Sequence, residues 1–91
     1  MTKSDHSEEL LKFPCQFPIK AMGRHDDDFV GIVTGIVQRH AGPLTANQVQ
    51  TNNSKAGKYL SVTVTITAES KSQLDAIYLD LTAHEAVLVA L

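Results

Sequence analysis

The segment Lys58 to Ala68 constrains the fold most strongly, because apolar and polar side chains alternate along its whole length. The apolar positions are Leu60, Val62, Val64 and Ile66, and the polar ones are Tyr59, Ser61, Thr63, Thr65 and Thr67. A period of two is typical of a strand that buries one face only. The segment therefore predicts a central strand with its apolar face against helices and its hydroxyl face uncovered.

The segments before and after this strand predict the first and last strands. Cys15 to Met22 alternates in the same way and ends at Gly23, which predicts the first strand. Glu85 to Leu91 is short and rich in valine, which predicts the last one. Leu44 to Gln50 alternates only loosely and leads into the turn-forming residues 52–57, so it predicts a polar edge strand followed by a hairpin loop.

Two helices are predicted from periodicity and end signals. The first is expected to start near Asp26, because a run of three aspartates can accept hydrogen bonds from free amides, and to stop at Gly42-Pro43. Its predicted inward arc is Phe29, Ile32, Val33, Ile36, Val37 and His40. The second is expected to start at Ser70, where Ser70 and Gln73 fit a reciprocal capping box, and to run to about Ala83. Its predicted inward stripe is Leu74, Ile77, Tyr78 and Leu81.

The order strand, helix, strand, strand, helix, strand predicts an α+β fold. Right-handed crossovers place both helices on one face of a four-stranded antiparallel sheet, which is the ferredoxin-like βαββαβ sandwich. Residues 1–12 are expected to be a flexible N-terminal segment with one helical turn capped by Ser7, and residues 13–91 to form a single domain.

Composition excludes several classes of function. With 91 residues and a net charge of −2, the chain does not resemble a dedicated nucleic-acid binder, which is normally basic. Its longest apolar run is far shorter than a membrane span, and residues 1–12 lack the apolar core of a secretory signal, so a cytoplasmic protein without membrane contact is expected. The single Cys15 can form no internal disulfide. Stability must come from packing, aided by weak self-association.

Several short segments, in matching order and spacing, resemble one family along most of the chain from Leu10 to Leu91. They are Phe13-Pro14, Phe17-Pro18-Ile19-Lys20, Met22-Gly23, Gln38-Arg39-His40-Ala41, Ser54 to Tyr59, Ser61-Val62-Thr63-Val64 and Gln73 to Tyr78. The chain resembles the YbeD-like family of small bacterial proteins of unknown function. The resemblance implies a ferredoxin-like fold similar to ACT regulatory domains, which bind small metabolites and control enzymes as dimers. It implies no known reaction, and it associates the family with neighbouring lipoate-attachment genes.

The loop after the first strand is the candidate ligand site, because ACT-type domains commonly receive an amino acid there. Gly23 lets backbone amides approach a ligand, and Arg24 can pair with a carboxylate as a fork. His25 completes the set from which we expect ligand contact. The alternative is a plain strand-to-helix turn, because the neighbouring aspartates occupy the helix amides and repel an anion.

Catalysis and metal binding have weaker support. None of the four histidines has a second ligand at the spacing of a metal site, so no metal and no cofactor are expected. Cys15, Lys20 and His40 supply no pairing of a nucleophile with a base. The chain is therefore expected not to be an enzyme, and a small enzyme using Lys20 and His40 remains the less favoured alternative.

Two surfaces are candidates for contact with a partner. The first is the hydroxyl face of the central strand at Tyr59, Ser61, Thr63 and Thr65, where a single aromatic ring does not make an RNA-stacking platform. The second is the outer side of the helices at Gly31, Gly35 and Leu79, where small residues let another backbone approach. The alternative for the second surface is tolerated glycine and one exposed leucine, which is ordinary.

These observations predict a non-catalytic cytoplasmic regulatory or adaptor module that binds a small metabolite or a partner enzyme as a weak dimer, with a link to the lipoate pathway implied by the resemblance alone. The alternative of a different class is a pure protein-interaction module without a ligand.

Overall fold

The structure is a computed structural model that describes residues 11–25, 28–54 and 56–91. The strands are β1 (Cys15–Arg24), β2 (Val49–Asn53), β3 (Tyr59–Ala68) and β4 (Val87–Ala90), and the helices are α1 (Phe29–Ala41) and α2 (Lys71–Ala83), with a short 3₁₀ turn at Ala46–Gln48. The predicted turn at Ser7 lies outside the described residues, as do Asp26 and Asp27, from which capping of the first helix was predicted.

The four strands form one antiparallel sheet in the order β2-β3-β1-β4. β1 and β3 pair over their full length, from Cys15 opposite Ala68 to Arg24 opposite Tyr59. This order, with both crossovers made by helices, confirms the predicted ferredoxin-like α+β fold.

The core lies between the sheet and the two helices, as the alternating strand predicts. Val62, Val64 and Ile66 of β3 are buried against Val33 of α1 and its neighbours, and Ile77 of α2 belongs to the same cluster. Within the described residues the core contains no buried polar or charged side chain. The sheet is therefore apolar on the helix side, whereas its other side mixes hydroxyl groups and cations with the exposed Met22, Tyr59 and Val89.

The helix starts differ from the predictions in detail. α1 begins at Phe29, and the Asp28 side chain makes no capping hydrogen bond with its amides. The carboxylate instead lies over Gly31, with Oδ2 2.6 Å from where a Cβ atom would stand. In α2, Ser70 Oγ accepts from the Gln73 amide at 3.1 Å as predicted. The Gln73 side chain, however, accepts from the amide of Glu69 and not from that of Ser70.

The predicted edge strand at Leu44 to Gln50 is wrong in its position. The Gln48 side-chain oxygen accepts from the Thr45 amide at 2.9 Å, which fixes a 3₁₀ turn where the strand was expected. The strand follows at Val49–Asn53, because pairing with β3 outweighs the turn preference of its two asparagines.

The outer strands also end at different residues from those predicted. β1 continues through Gly23 to Arg24, because both residues pair with the start of β3. β4 is shorter than Glu85 to Leu91, because the Ala86 amide bonds to His84 Nδ1 and makes residues 84–86 a turn. Leu91 still exchanges two backbone hydrogen bonds with Lys20, at 3.1 and 2.7 Å.

Candidate functional site

The outer face of the sheet, on the side away from the helices, is formed by the polar positions of β1 and β3. Lys20 stands opposite Thr63, Met22 opposite Ser61, and Arg24 opposite Tyr59. Ser61, Thr63 and Thr65 are half-buried among their sheet neighbours, while Tyr59 is exposed. The predicted partner-binding residues of β3 therefore share one face with two cations of β1.

The charge on this outer face has one sign. No described strand contains an aspartate or glutamate, whereas β1 carries Lys20 and Arg24. The described carboxylates stand at Asp28, Glu69, Asp75, Asp80 and Glu85, in the helices or next to their ends. The outer sheet face is thus cationic, whereas the helices and the residues next to their ends carry these five carboxylates against the cations Arg39 and Lys71.

A cleft of about 340 Å³ lies where β1 ends and β3 begins, and we call it the cationic cleft. Its lining residues are Arg24, His25, Gly57, Lys58 and Tyr59. The amide of His25 donates to the Lys58 carbonyl at 2.8 Å, which fastens the two loops together. Gly57 has φ of +74°, a left-handed conformation that a residue with a side chain rarely adopts, and it turns the chain back into β3.

The cationic cleft is lined by residues that the sequence analysis assigned to two different sites. Arg24 and His25 were predicted for ligand contact and Tyr59 for partner contact, and the structure brings all three together. Sequence reasoning missed Lys58, because the pairing of β1 with β3 that delivers it is a long-range contact. The predicted antiparallel sheet was the signal that could have found Lys58, because antiparallel pairing of β1 with β3 places the end of β1 beside the start of β3.

Gly23, the third predicted ligand residue, has a packing role in this structure. A Cβ atom there would lie 2.7 Å from Cζ of the Phe29 ring and 2.5 Å from the Ala86 carbonyl oxygen. The absence of a side chain lets Phe29 close over the end of β1. The buried Gly23 is therefore not among the residues that line the cationic cleft.

Arg24 also borders a second cleft, of about 580 Å³, on the α1 side of the strand end. Its charged lining residues are Arg24, Asp28 and Glu85, and its apolar ones are Phe29, Ile32, Ala86 and Leu88. The lining carries two carboxylates and one guanidinium, so this cleft offers an anion no net positive charge.

Lys20 and His40, the residues of the alternative enzyme hypothesis, do not share a cleft. Lys20 points from the outer face of the sheet, while His40 lies in the last turn of α1, on the helix side. His40 Nε2 lies 2.6 Å from an Asp80 carboxylate oxygen of α2. This geometry gives His40 a role in joining the two helices.

The outer side of the helices carries a shallow groove over the glycines of α1. Gly31 and Gly35 line it together with Arg39 and His84, and a Cβ atom at Gly35 would meet nothing within 4 Å. Leu79 of α2 is 69% exposed but does not line this groove. The predicted helix-side surface is thus two separate features.

Residues 11–25, 28–54 and 56–91 contain no group of three or more His, Cys, Asp or Glu side chains arranged to hold a metal ion. Across those same ranges, neither helix has the length and apolar character needed to cross a bilayer.

The chain is similar in sequence to a family of proteins of unknown function. A family model described as "Protein of unknown function (DUF493)" matches residues 8–91. A UPF0250 protein of Chromobacterium violaceum is 46% identical over 88 residues, covering 97% of this chain and 99% of the relative. A UPF0250 protein of Neisseria gonorrhoeae is 40% identical over the whole of both chains.

The fold also has a solved counterpart. The solution structure of protein HP0495 from H. pylori superposes with a TM-score of 0.72 and covers 100% of this chain and 96% of its own, at 16% identity. At that identity the similarity shows a common fold and nothing about a common ligand or partner.

Proposed function

This chain belongs to the DUF493 (UPF0250) family, the YbeD-like proteins of unknown function, and we propose that it is a non-catalytic regulatory or adaptor module that binds an acidic surface of a partner enzyme. The observation that carries the proposal is the outer face of the sheet, which neither helix covers and whose charged strand residues, Lys20 and Arg24, are both cations.

The chemistry of this face suits reversible contact. Hydroxyl groups at Ser61, Thr63 and Thr65 tolerate water when the partner is absent and can hydrogen-bond when it is present. Met22 and Tyr59, 37% and 41% exposed, add apolar area between the cations. Such a mixture is typical of interfaces that form and dissociate, whereas obligate interfaces are more apolar.

The size of the face predicts modest affinity. The strands have 10, 5, 10 and 4 residues. At about 3.3 Å per residue and about 4.8 Å between strands the sheet presents about 460 Å², whereas a stable interface usually buries about 800 Å² on each partner. Charge pairing then matters for partner choice and association rate, both of which fall with added salt.

Self-association is proposed for the other side of the molecule. Two outer sheet faces would bring Lys20 and Arg24 of one copy against the same cations of the other, which is unfavourable. The groove at Gly31 and Gly35 or the exposed Leu79 leaves the sheet face open to a different partner. A weak dimer of this kind is detected by light scattering at several concentrations.

The test compares matched charge reversals in a binding assay. Immobilised wild-type chain, Lys20→Glu and Lys12→Glu are each incubated with candidate enzymes, and bound protein is quantified. The first purified candidate is a lipoate-attachment enzyme, because the family resemblance implies that association. Lys12 is exposed, lies outside every strand, and undergoes the same change of charge.

We expect the partner enzyme to bind the wild type and Lys12→Glu but not Lys20→Glu. We also expect the activity of the enzyme to change when it binds. Equal binding by both variants would place the partner surface elsewhere. Binding without any effect on activity would favour the alternative, a pure interaction module.

A further inference from the structure

We propose that the cationic cleft binds the phosphate group of a small phosphorylated metabolite. This site shares Arg24 and Tyr59 with the outer sheet face, lies at the end of that face away from Lys20, and does not depend on a partner enzyme. The proposal rests on the donors that converge on the cleft, on their lack of partners within the described chain, and on the ring beside them.

The donors reach the cleft from two segments that are distant in sequence. Arg24 and His25 come from the end of β1, and Lys58 comes from the turn that starts β3. The backbone bond from His25 to Lys58 and the pairing of Arg24 with Tyr59 fix the two segments relative to each other. Convergent donors on a fixed frame suit a tetrahedral anion, and arginine can bind it with two parallel hydrogen bonds.

The charges of these donors are not already used within the described part of the chain. The ion pairs there join His40 to Asp80 and Lys71 to Asp75, and none involves Arg24 or Lys58. The cleft's lining residues include no carboxylate. Asp28, the nearest described aspartate in sequence, borders the second cleft and has its carboxylate over Gly31.

Tyr59 gives the cleft an apolar wall next to its cations. The side chain is 41% exposed and stands opposite Arg24 on the outer face. A ring in this position can contact the organic part of a ligand whose phosphate lies on Arg24 and Lys58. The volume, about 340 Å³, lies at the lower end of the range of about 300 to 1,000 Å³ that small-molecule sites span.

The experiment is a titration of the full chain followed by nuclear magnetic resonance of its backbone amides. The probes are phenyl phosphate, inorganic phosphate and benzoate, with sodium chloride at matched ionic strength as the reference. Phenyl phosphate and benzoate carry the same ring, so their difference reports the phosphate group. The variants are Arg24→Gln and Lys58→Gln, with Lys20→Gln as the matched loss of one cation on the same sheet but outside the cleft.

We expect phenyl phosphate to shift the amides of Arg24, His25 and Lys58 saturably and to bind at least about fivefold more tightly than benzoate. Loss of either Arg24 or Lys58 is expected to weaken binding about tenfold, because a charge-assisted hydrogen bond is lost. Lys20→Gln is expected to change the affinity less than twofold, about the scale of a screened charge outside the site.

Three results would overturn the proposal. One is a response to phosphate that sodium chloride reproduces at equal ionic strength. Another is equal weakening by Lys20→Gln and Arg24→Gln, which would indicate diffuse attraction instead of a site. The third is the absence of saturable binding of phenyl phosphate. If Arg24→Gln fails to fold, Lys58→Gln alone decides the outcome.

Discussion

His40 Nε2 lies 2.6 Å from a carboxylate oxygen of Asp80, and this contact joins the last turn of α1 to α2. A second link runs beside it, in which the Gln73 side-chain amide donates to the main-chain oxygen of His40 at 3.1 Å. Because the second link uses the backbone of His40, replacing its side chain leaves that link in place. The contribution of the side-chain pair can therefore be measured separately.

A double-mutant cycle with His40→Ala and Asp80→Ala is expected to give a coupling energy of about 0.2 to 1 kcal/mol, because both side chains are partly exposed to solvent. Urea unfolding of the wild type, the two single variants and the double variant measures it. Additive single effects would show that the contact contributes nothing to stability.

Gly23→Ala is expected to destabilise the fold by about 1 to 3 kcal/mol, the usual cost of overpacking. The added methyl group would stand 2.5 Å from the Ala86 carbonyl oxygen, a backbone atom that cannot rotate away. Denaturant unfolding checks this change. An unchanged free energy of unfolding would mean that Phe29 and the turn at Ala86 can move without cost.

Gly35→Ala is the matched substitution, and it is expected to stabilise the fold instead of destabilising it. A Cβ atom at Gly35 meets nothing within 4 Å, and alanine favours a helix interior by up to about 1 kcal/mol over glycine. The free energy of unfolding should therefore rise. If copies of the chain pair closely over Gly35, the same variant should shift light scattering toward the monomer, whereas unchanged scattering would remove Gly35 from the self-association surface.

Tyr78→Phe is expected to cost about 0.5 to 1.5 kcal/mol, because the Tyr78 hydroxyl donates to the main-chain oxygen of Leu91 at 2.6 Å. Burial also raises the pKa of Tyr78 above its usual value of 10.0. The unfolded chain therefore loses this proton first, so the stabilisation is complete below pH 10.0 and is lost as the pH rises through the folded-state pKa.

The measurement is urea unfolding at neutral pH and at several pH values above 10.0. The alkaline loss of stability should be smaller in Tyr78→Phe than in the wild type, with Tyr59→Phe as the control on the exposed sheet face. The same alkaline slope in wild type and Tyr78→Phe would assign that loss to other groups.

The parts of the fold that local patterns determine were predictable from the sequence. The alternation around Val62 and Val64 predicted the buried face of β3, and Ser70 predicted the start of α2, because each signal lies within a few neighbouring residues. β2 was misplaced because its pairing with β3 decides its position, and Asn52 alone favours a turn.

The candidate site was only partly predictable, for a similar reason. Arg24 and His25 stand out as a loop after a strand, but Lys58 joins them only through the pairing of β1 with β3. The contact between His40 and Asp80 likewise depends on how the two helices pack. Neither of these two contacts could be predicted from a local sequence pattern.

The uneven placement of the described charges gives that part of the molecule an electric dipole. Lys20 and Arg24 stand on the outer sheet face, whereas the described carboxylates, five against the cations Arg39 and Lys71, lie in the helices or next to their ends. A negatively charged body approaching from any direction exerts a torque that turns the sheet toward it before the surfaces meet. Productive collisions then become more frequent than the area of the face alone would allow.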